Sequence, residues 1–445
     1  MSFKNCHIPN CIYQALGINR GCPLCRDHFC YHHHENHSCH KGKEPDGSDK
    51  TSSIVDWYEP ETSQLLDLLD PKLIKAEVEQ LKPGHQVSEI HIPATWRKFV
   101  AASQGSCNYH IKIDFTDSTS WIMRIRRRFW RNYPDDPLRT NLASEVATCQ
   151  ALNKAGVKVP YTYLRPVNSN LHPKLIYCYQ EYVQGDMWRP FVRLPNIKKD
   201  PCTSPLDPVS LHHIGSIVQW FLNMEKITWE NIGSLRLAEN STITVGPLIE
   251  RRPVSTVPPY FQGPFRTSQD RWLAVIDHRI KLLLSHNFCE AGREVMFYLV
   301  WMETKELIKG CKEMESTGPF YIKHDDDRFD HIRAKEDGEV TGIIDWEWAY
   351  TTNKEEAFTA PIGFVPSEYR DGKNDNLSFR EIAMIDIYTS LDRPDLAGYI
   401  NALERAFKDL PDDHPGQPNT MKEWLEIMKD KYKDDVGLRL LMKQC

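Results

Sequence analysis

The stretch from Tyr321 to Trp348, YIKHDDDRFDHIRAKEDGEVTGIIDWEW, holds side chains of the kind that handle a metal ion and a phosphate. It begins with a short apolar run and a His-x-Asp, His324 and Asp326, then crosses a loop to Asp337 and Gly338. It closes on an apolar strand, VTGII, that delivers Asp345 and an aromatic pair. Two acidic clusters thereby hang on a hairpin. Such an arrangement suits a divalent cation with a phosphate, because magnesium takes hard oxygen ligands and leaves coordination positions open to phosphate oxygens. Farther upstream, Arg124 lies in a strand pattern and Glu145 in a helix pattern. A strand cation aimed by a helix carboxylate is one way of holding a phosphate-binding side chain. Gly105 and Ser106 precede the strands of that region, where the backbone N–H groups of a turn can approach phosphates.

A different chemistry is written at the N-terminus, which reads Cys6-x4-Cys11-x10-Cys22-x2-Cys25-x4-Cys30-x2-His33-x3-His37-x-Cys39. Eight thiolate or imidazole ligands suffice for two tetrahedral zinc sites, and Cys22-Pro-Leu-Cys25 is a knuckle of the usual ligand spacing. A segment of about 40 residues without an apolar core depends on such a metal to fold, so zinc binding would be its folding free energy. The other seven of the thirteen cysteines are scattered singly, which argues for free thiols in a reducing compartment. The half Phe29-Cys30-x2-His33…His37-x-Cys39, preceded by Cys22-x2-Cys25, resembles the AN-one-type zinc finger of stress-associated proteins. The resemblance implies a cross-brace, with Cys6, Cys11, Cys30 and His33 on one zinc and Cys22, Cys25, His37 and Cys39 on the other. It also implies a protein partner rather than a reaction. The first pair is spaced x4 where that family usually has x2, and the gap between the histidines is short, so His32 or His7 could take an assigned place.

Positioning these groups takes more than one core, and 445 residues with 40% hydrophobic content supply it, enough for about three domains. A net charge of −6 with both signs interspersed predicts neither bulk nucleic-acid binding nor a strongly cationic surface. No apolar run approaches the roughly 20 residues that span a bilayer, and Met1 to Cys11 lacks an apolar signal core. An intracellular protein is therefore expected, in the cytoplasm with the nucleus also open to it. Residues 41–63 are polar and read as a linker, ending at a predicted N-cap, Ser63, before the helical run QLLDLLDPKLIKAEVEQL, which Pro71 breaks or restarts. CNYHIKIDFTDSTSWIMRIRRR alternates with period 2 on either side of Thr116-Asp117-Ser118 and predicts a hairpin. The run Arg124, Arg126, Arg127, Arg128 and Arg131 reads as a solvated face rather than a nucleic-acid surface, because Trp130 and Asp135-Asp136 interrupt it. NLASEVATCQALNKAGV then predicts an amphipathic helix, and KLIYCYQEYVQGD, Lys174 to Asp186, a strand that ends at Glu181, Val183 and Gly185. From Pro208 onward helical patterns dominate, with a Pro-rich loop, ERRPVSTVPPYFQGPF, placed to form part of a substrate mouth.

The order His324-x-Asp326-x4-His331-x13-Asp345 parallels the protein-kinase catalytic loop H-R-D-x-x-x-x-N, whose Asp receives the substrate proton, followed by a metal-binding Asp on a hairpin. IIDWEWA, Ile343 to Ala349, together with Asn231-Ile-Gly-Ser-Leu, Val245-Gly-Pro-Leu and Gly263-Pro-Phe, resembles the aminoglycoside phosphotransferase (choline kinase-like) family in its fungal branch, over about residues 85 to 410. The resemblance implies an α+β, two-lobed protein-kinase-like fold, with a small β-rich lobe over 64–184, a larger helical lobe over 185–445 and the zinc module over 1–40 in front. It implies Asp326 as the base, His324 as the buttress of its loop and Asp345 as a magnesium ligand. Arg124 would contact phosphate with Glu145 as its partner, Gly105 and Ser106 would lie in the nucleotide loop, and Glu181 and Val183 would form the hinge at the adenine edge. The implied cofactors are ATP, Mg2+ and two Zn2+, and the implied acceptor is a small-molecule hydroxyl.

The departures from the family bear on the chemistry. His331 stands where an Asn usually holds the second metal, and imidazole is a softer ligand than an amide oxygen. Asp325 replaces the Gly of HGD, which leaves the base between Asp325 and Asp326, and Asp330 could supply a missing oxygen ligand. At position 124 arginine replaces a compact ammonium with a planar fork. No A-P-E follows Asp345 and Trp346-Glu347-Trp348 replaces D-F-G, which argues against a protein kinase. Two readings stand: an ATP-dependent kinase of small molecules whose zinc module recruits a partner, and a catalytically weak or inactive kinase-like scaffold acting through that module.

Overall fold

The structure, a computed structural model, describes residues 59–103, 107–127, 135–187, 206–238, 242–249, 260–285, 293–326, 331–365, 376–406 and 418–443. The ligand set from Cys6 to Cys39, the turn at Gly105 and Ser106, and Arg128, Arg131 and Asp330 lie outside those residues.

Successive side chains of a strand point to opposite faces, and the alternation in NYHIKIDF and SWIMRIR sorts the first layer accordingly. Tyr109, Ile111, Ile113 and Phe115 of β2 (Asn108–Phe115) share one buried face with Trp121, Met123 and Ile125 of β3 (Ser120–Arg126). The strands pair antiparallel, from Asn108 opposite Arg126 to Asp114 opposite Ser120, around a turn in which Asp117 accepts from the Thr119 N–H. With β1 (Val87–Ile90), β4 (Thr162–Leu164) and β5 (Tyr177–Glu181) they form an antiparallel sheet of order β1-β2-β3-β5-β4. Helices α1 (Glu59–Leu68), α2 (Pro71–Leu81) and α3 (Trp96–Ser103) cover its apolar face, adding Leu65, Ile74, Val78 and Phe99 to one core. Because α1 begins at Glu59, Ser63 lies inside the helix instead of capping it. Pro60 explains the earlier start, since proline in the first turn loses no intrahelical hydrogen bond and is preset for the helix. Asp70 caps α2, accepting from the N–H groups of Lys72 and Leu73.

The opposite face of the sheet is polar and is covered by α4 (Asp135–Lys154), which starts with Asp135 and Asp136 where the helix dipole favours negative charge. The segment from Lys174 to Asp186, expected as one strand, is two. Only Tyr177–Glu181 stays in the sheet, while β6 (Asp186–Met187) crosses to pair with β10 (Ile332–Ala334). Gly185, at φ +112, makes the crossing possible: a Cβ there would lie 2.8 Å from the Ala334 carbonyl oxygen.

Beyond the crossing the chain is mainly helical. Helices α5 (Pro208–Met224), α8 (Lys354–Ala357), α9 (Phe379–Ser390) and α10 (Pro394–Ala406) gather around a core that includes Trp220, Phe221, Trp346, Phe358, Met384 and Tyr388. Helices α6 (Ser268–Leu284), α7 (Glu294–Gly310), α11 (Pro418–Lys431) and α12 (Val436–Met442) share a separate cluster around Leu283, Leu299, Trp301 and Leu438. The described residues thus form an α+β fold of a sheet layer followed by a largely helical part. Among them no helix is long and apolar enough to cross a membrane.

Three short strand pairs hold the chemistry-bearing stretch. β10 and β11 (Val340–Ile343) form a hairpin, but β9 (Tyr321–Lys323) pairs with β12 (Tyr350–Thr352), Ile322 opposite Thr351. Only Asp345 therefore follows the hairpin, and His324 and Asp326 leave β9 instead. Behind β12, β7 (Leu235–Leu237) pairs with β8 (Ile243–Val245), and the Thr351 N–H donates to the Gly233 carbonyl at 2.8 Å. A Cβ on Gly233 would lie 2.1 Å from the Gly246 carbonyl oxygen, so the close approach of Asn231–Leu235 to Val245–Leu248 needs glycine at position 233. Through the Gly233–Thr351 hydrogen bond these two segments lie against β12.

Candidate active site

Period 2 puts Arg124 and Arg126 on the same face of β3, under α4, where Glu145 points down between them. Arg124 Nη1 lies 3.2 Å from Glu145 Oε1, and Arg126 Nη2 lies 3.1 Å from Glu145 Oε2. Glu347 closes the ring from the other part of the molecule. Its Oε2 accepts from Arg126 Nη1 and lies 3.3 Å from Arg124 Nη2 and 3.1 Å from Asn108 Nδ2. Gln180 Nε2 donates to Glu145 Oε1 at 3.0 Å. Burial opposes the charge of both guanidiniums. At Arg124, Asp345 and Glu145 outweigh it and raise the pKa, whereas at Arg126 burial prevails and lowers it.

This geometry corrects the expectation of a solvated arginine face. Arg124, Arg126 and Arg127 are at most 5 % exposed. Arg127 lies 3.5 Å from Glu61 and over the Tyr109 ring. The reason is local: the strand turns alternate residues inward, and Glu61, Glu145 and Glu347 arrive from three other elements to pair them. A buried guanidinium is tolerated when its planar fork is matched by carboxylates.

Asp345 follows β11 at φ +69 and ψ +51, the left-handed conformation that aspartate tolerates better than most residues. Held strain of this kind clusters at functional sites. The 3-10 turn Trp346–Trp348 fixes it in place by burying Trp346 against Trp220 and, edge to face, against His324. Asp345 Oδ1 accepts from Arg124 Nη2, and Oδ2 lies 3.2 Å from His331 Nδ1. The other imidazole nitrogen, His331 Nε2, lies 3.5 Å from Asp326 Oδ2. Asp326, His331 and Asp345 thus bring one potential metal-ligand atom each to within 4.8 Å of one another. Burial would raise the Asp345 carboxyl, but Arg124 and then His331 outweigh it and hold it well below the usual carboxylate range.

His324 links the two halves of this site. The Asp326 N–H donates to its Nδ1 at 3.2 Å, so Nε2 carries the proton and donates to the Ile344 carbonyl at 3.0 Å. Burial, followed by the nearby His331, depresses its pKa to about 4, and the ring is neutral at pH 7. One neutral imidazole therefore ties the Asp326 loop to the residue before Asp345. Asp325 lies on another side, close enough to Tyr350 for its charge to act on that hydroxyl.

No protein-family model matches this chain, and no curated protein matches it. Among solved structures it is similar to an ethanolamine kinase from Plasmodium vivax, at 14% identity over 90% of this chain and 94% of that one, with a TM-score of 0.40. It is similar also to a macrolide 2'-phosphotransferase type I, at 11% identity over 84% and 97% of the two chains, with a TM-score of 0.38. An amicoumacin kinase solved with AMP-PNP and Ca2+ gives 10% identity over 84% and 97%, with a TM-score of 0.36.

Of the residues singled out from the sequence, Arg124, Glu145, His324, Asp326, His331 and Asp345 come together. Glu181 ends β5 and Val183 lies two residues beyond it. The Glu181 N–H donates to the Tyr161 carbonyl and the Tyr182 N–H to the Ser120 carbonyl. Val183 packs on the hairpin that carries Asp345, its Cγ1 2.9 Å from where a Cβ on Gly342 would stand. Arg126, Glu347, Asn108 and Gln180 were not assigned to the site from the sequence. Arg126 was findable from its period-2 relation to Arg124, and Glu347 from an acid set between two tryptophans directly after Asp345.

The tip of the hairpin is itself anchored to α5. His212 Nδ1 contacts the Asp337 carbonyl at 2.8 Å, and buried His213 donates from Nδ1 to the Gly338 carbonyl at 3.2 Å. Burial pushes the His213 pKa down from 6.5 to about 4. With the folded value depressed, the unfolded chain takes up the proton first, so His213 withdraws stability as pH falls from about 6.5 to about 4 and nothing further below. The slope expected from this group is about 1.4 kcal/mol per pH unit. His213→Asn should flatten the pH dependence of the urea midpoint in that window, and an unchanged slope would remove His213 as its source.

Proposed function

We propose that the chain is a phosphotransferase of two-lobed, protein-kinase-like fold that moves the γ-phosphate of ATP to a hydroxyl of a small molecule. The observation that carries this reading is the meeting at Asp345 of Arg124, braced by Glu145, on one carboxylate oxygen and His331, backed by Asp326, on the other. Phosphoryl transfer asks a protein mainly for positioning and charge neutralisation. Asp326 would accept the acceptor proton as the new O–P bond forms and the β–γ bridging bond breaks, leaving ADP. His324 would hold the Asp326 backbone, and Arg124 would face the phosphates with its aim set by Glu145. Gly105 and Ser106 would cover the phosphates, and Glu181 and Val183 would meet the adenine. A divalent cation at Asp345 would offset phosphate charge. The Asp345 carboxylate fits magnesium, and the His331 imidazole fits it less well than an amide oxygen.

The residues from Cys6 to Cys39 would hold two zinc ions and recruit a protein partner. Two zinc ions per purified chain are expected by elemental analysis, and none would remove the module. A second reading, the catalytically weak scaffold, is favoured by one observation: Arg124 is spent on Glu145, Asp345 and Glu347 together. A melting scan with ATP and a divalent cation separates the two. Binding at a hundredfold Kd stabilises a protein by about 2.7 kcal/mol, so a rise of several degrees is expected. No rise with ATP under either Mg2+ or Mn2+ would favour the scaffold.

A further inference from the structure

We propose that the ion held at Asp345 and His331 is a first-row transition dication, Mn2+ before Mg2+. The proposal rests on the phosphotransferase reading for the presence of a cation here, and on the donor atoms for its identity. Two ligand atoms about 2.1 Å from one ion and at right angles to each other stand about 3.0 Å apart. Asp345 Oδ2 and His331 Nδ1 are 3.2 Å apart, the spacing of adjacent ligands on one octahedral ion. The other side of the imidazole is arranged for the same purpose. His331 Nε2 faces Asp326 Oδ2 at 3.5 Å, a charge contact rather than a hydrogen bond, which favours a proton on the far nitrogen and leaves the near lone pair to the metal. Arg124 occupies Asp345 Oδ1, so the carboxylate offers a single oxygen, Oδ2, to the ion.

The choice of ion follows from that pair of atoms. Magnesium sheds water reluctantly and takes oxygen ligands, so a nitrogen in place of an amide oxygen weakens its hold. Affinity of a mixed nitrogen and oxygen site rises from Mn2+ along the first-row transition series. Mn2+ also accepts carboxylate and phosphate oxygens, which the rest of the site and a nucleotide would provide. The two donors, His331 just before β10 and Asp345 beyond β11, and the backing Asp326 beyond β9 sit on segments that the buried His324 and Trp346 hold together. The competing arrangement is a His331 that only bridges two carboxylates and binds no ion.

The test uses the full chain, zinc-loaded, tag-free and without nucleotide. Mn2+ is titrated in while the free-ion paramagnetic resonance signal is followed, and Mg2+ is then added as competitor. Equimolar Mg2+ should fail to displace most of the bound Mn2+, and His331→Asn should abolish most of that preference by weakening Mn2+ alone. Spin-echo modulation of bound Mn2+ should show a directly coordinated nitrogen in the wild-type chain, which answers the question even if the variant misfolds. Equal competition by Mg2+, a preference unchanged in His331→Asn, no nitrogen coupling, or no bound Mn2+ would each overturn the proposal. A chain that binds Mn2+ through nitrogen yet never transfers phosphate would instead sink the phosphotransferase reading and leave the metal assignment standing.

Discussion

Asp326→Asn is expected to cut phosphoryl transfer by roughly 10²–10⁴-fold, the usual contribution of a positioned general base, while nucleotide affinity stays where it is. The substitution keeps the size and the hydrogen-bonding shape of the side chain. An amide of the same shape can still stand beside His331 Nε2, 3.5 Å from the Asp326 carboxylate in the wild-type chain, so the packing around the imidazole is kept. The backbone N–H of residue 326 still reaches His324 Nδ1. What the amide lacks is the capacity to take a proton. The loss should therefore fall on kcat, with KM for ATP little changed. A rate within a few-fold of the wild-type would remove Asp326 as the base and turn attention to Asp325.

Glu145→Ala is expected to be the most destabilising single change in the sheet layer. Glu145 is fully buried, and both Arg124 and Arg126 rest on its two oxygens. Removing it leaves two buried guanidiniums with Glu347 and Asp345 on one side only. Stranding one partner of a buried ion pair costs about 3–5 kcal/mol, whereas replacing pair and partner together with apolar side chains is often close to neutral. Glu145→Leu combined with Arg126→Met should accordingly recover part of the loss, and the shortfall in a double-mutant cycle would measure the coupling. Urea unfolding reads all of these variants. A Glu145→Ala chain as stable as the wild-type would mean that the ring of charges contributes nothing to the fold.

How much of this could be read beforehand depended on how local the cause was. The hairpin of β2 and β3 was legible because alternation and turn residues act within a few positions. So was the pairing of a strand cation with a helix carboxylate, since each lies on the inward face of a regular element. Arg124, Arg126 and Arg127 were misread because closely spaced cations look solvated until their partners are known, and Glu61, Glu145 and Glu347 come from far apart in the chain. The pairing of β9 with β12 was hidden for the same reason: two three-residue strands on either side of a hairpin carry no periodicity of their own. The break after Glu181 turned on one glycine, whose positive φ and close approach to Ala334 exist only once β10 is in place. Glu347 was in plain view in DWEW, yet its role depends on a 3-10 turn that swings it back under β3.

The central claim, transfer of a phosphate between ATP and a small hydroxyl compound, is met most directly by following label from γ-labelled ATP into a panel of hydroxyl-bearing metabolites. The assay uses the wild-type chain and Asp326→Asn side by side, in Mg2+ and in Mn2+. The account predicts a labelled product from at least one compound with the wild-type chain, and its loss with Asp326→Asn. Label that moves equally well with both proteins, or ATP that binds under either cation while no compound is labelled, would contradict it.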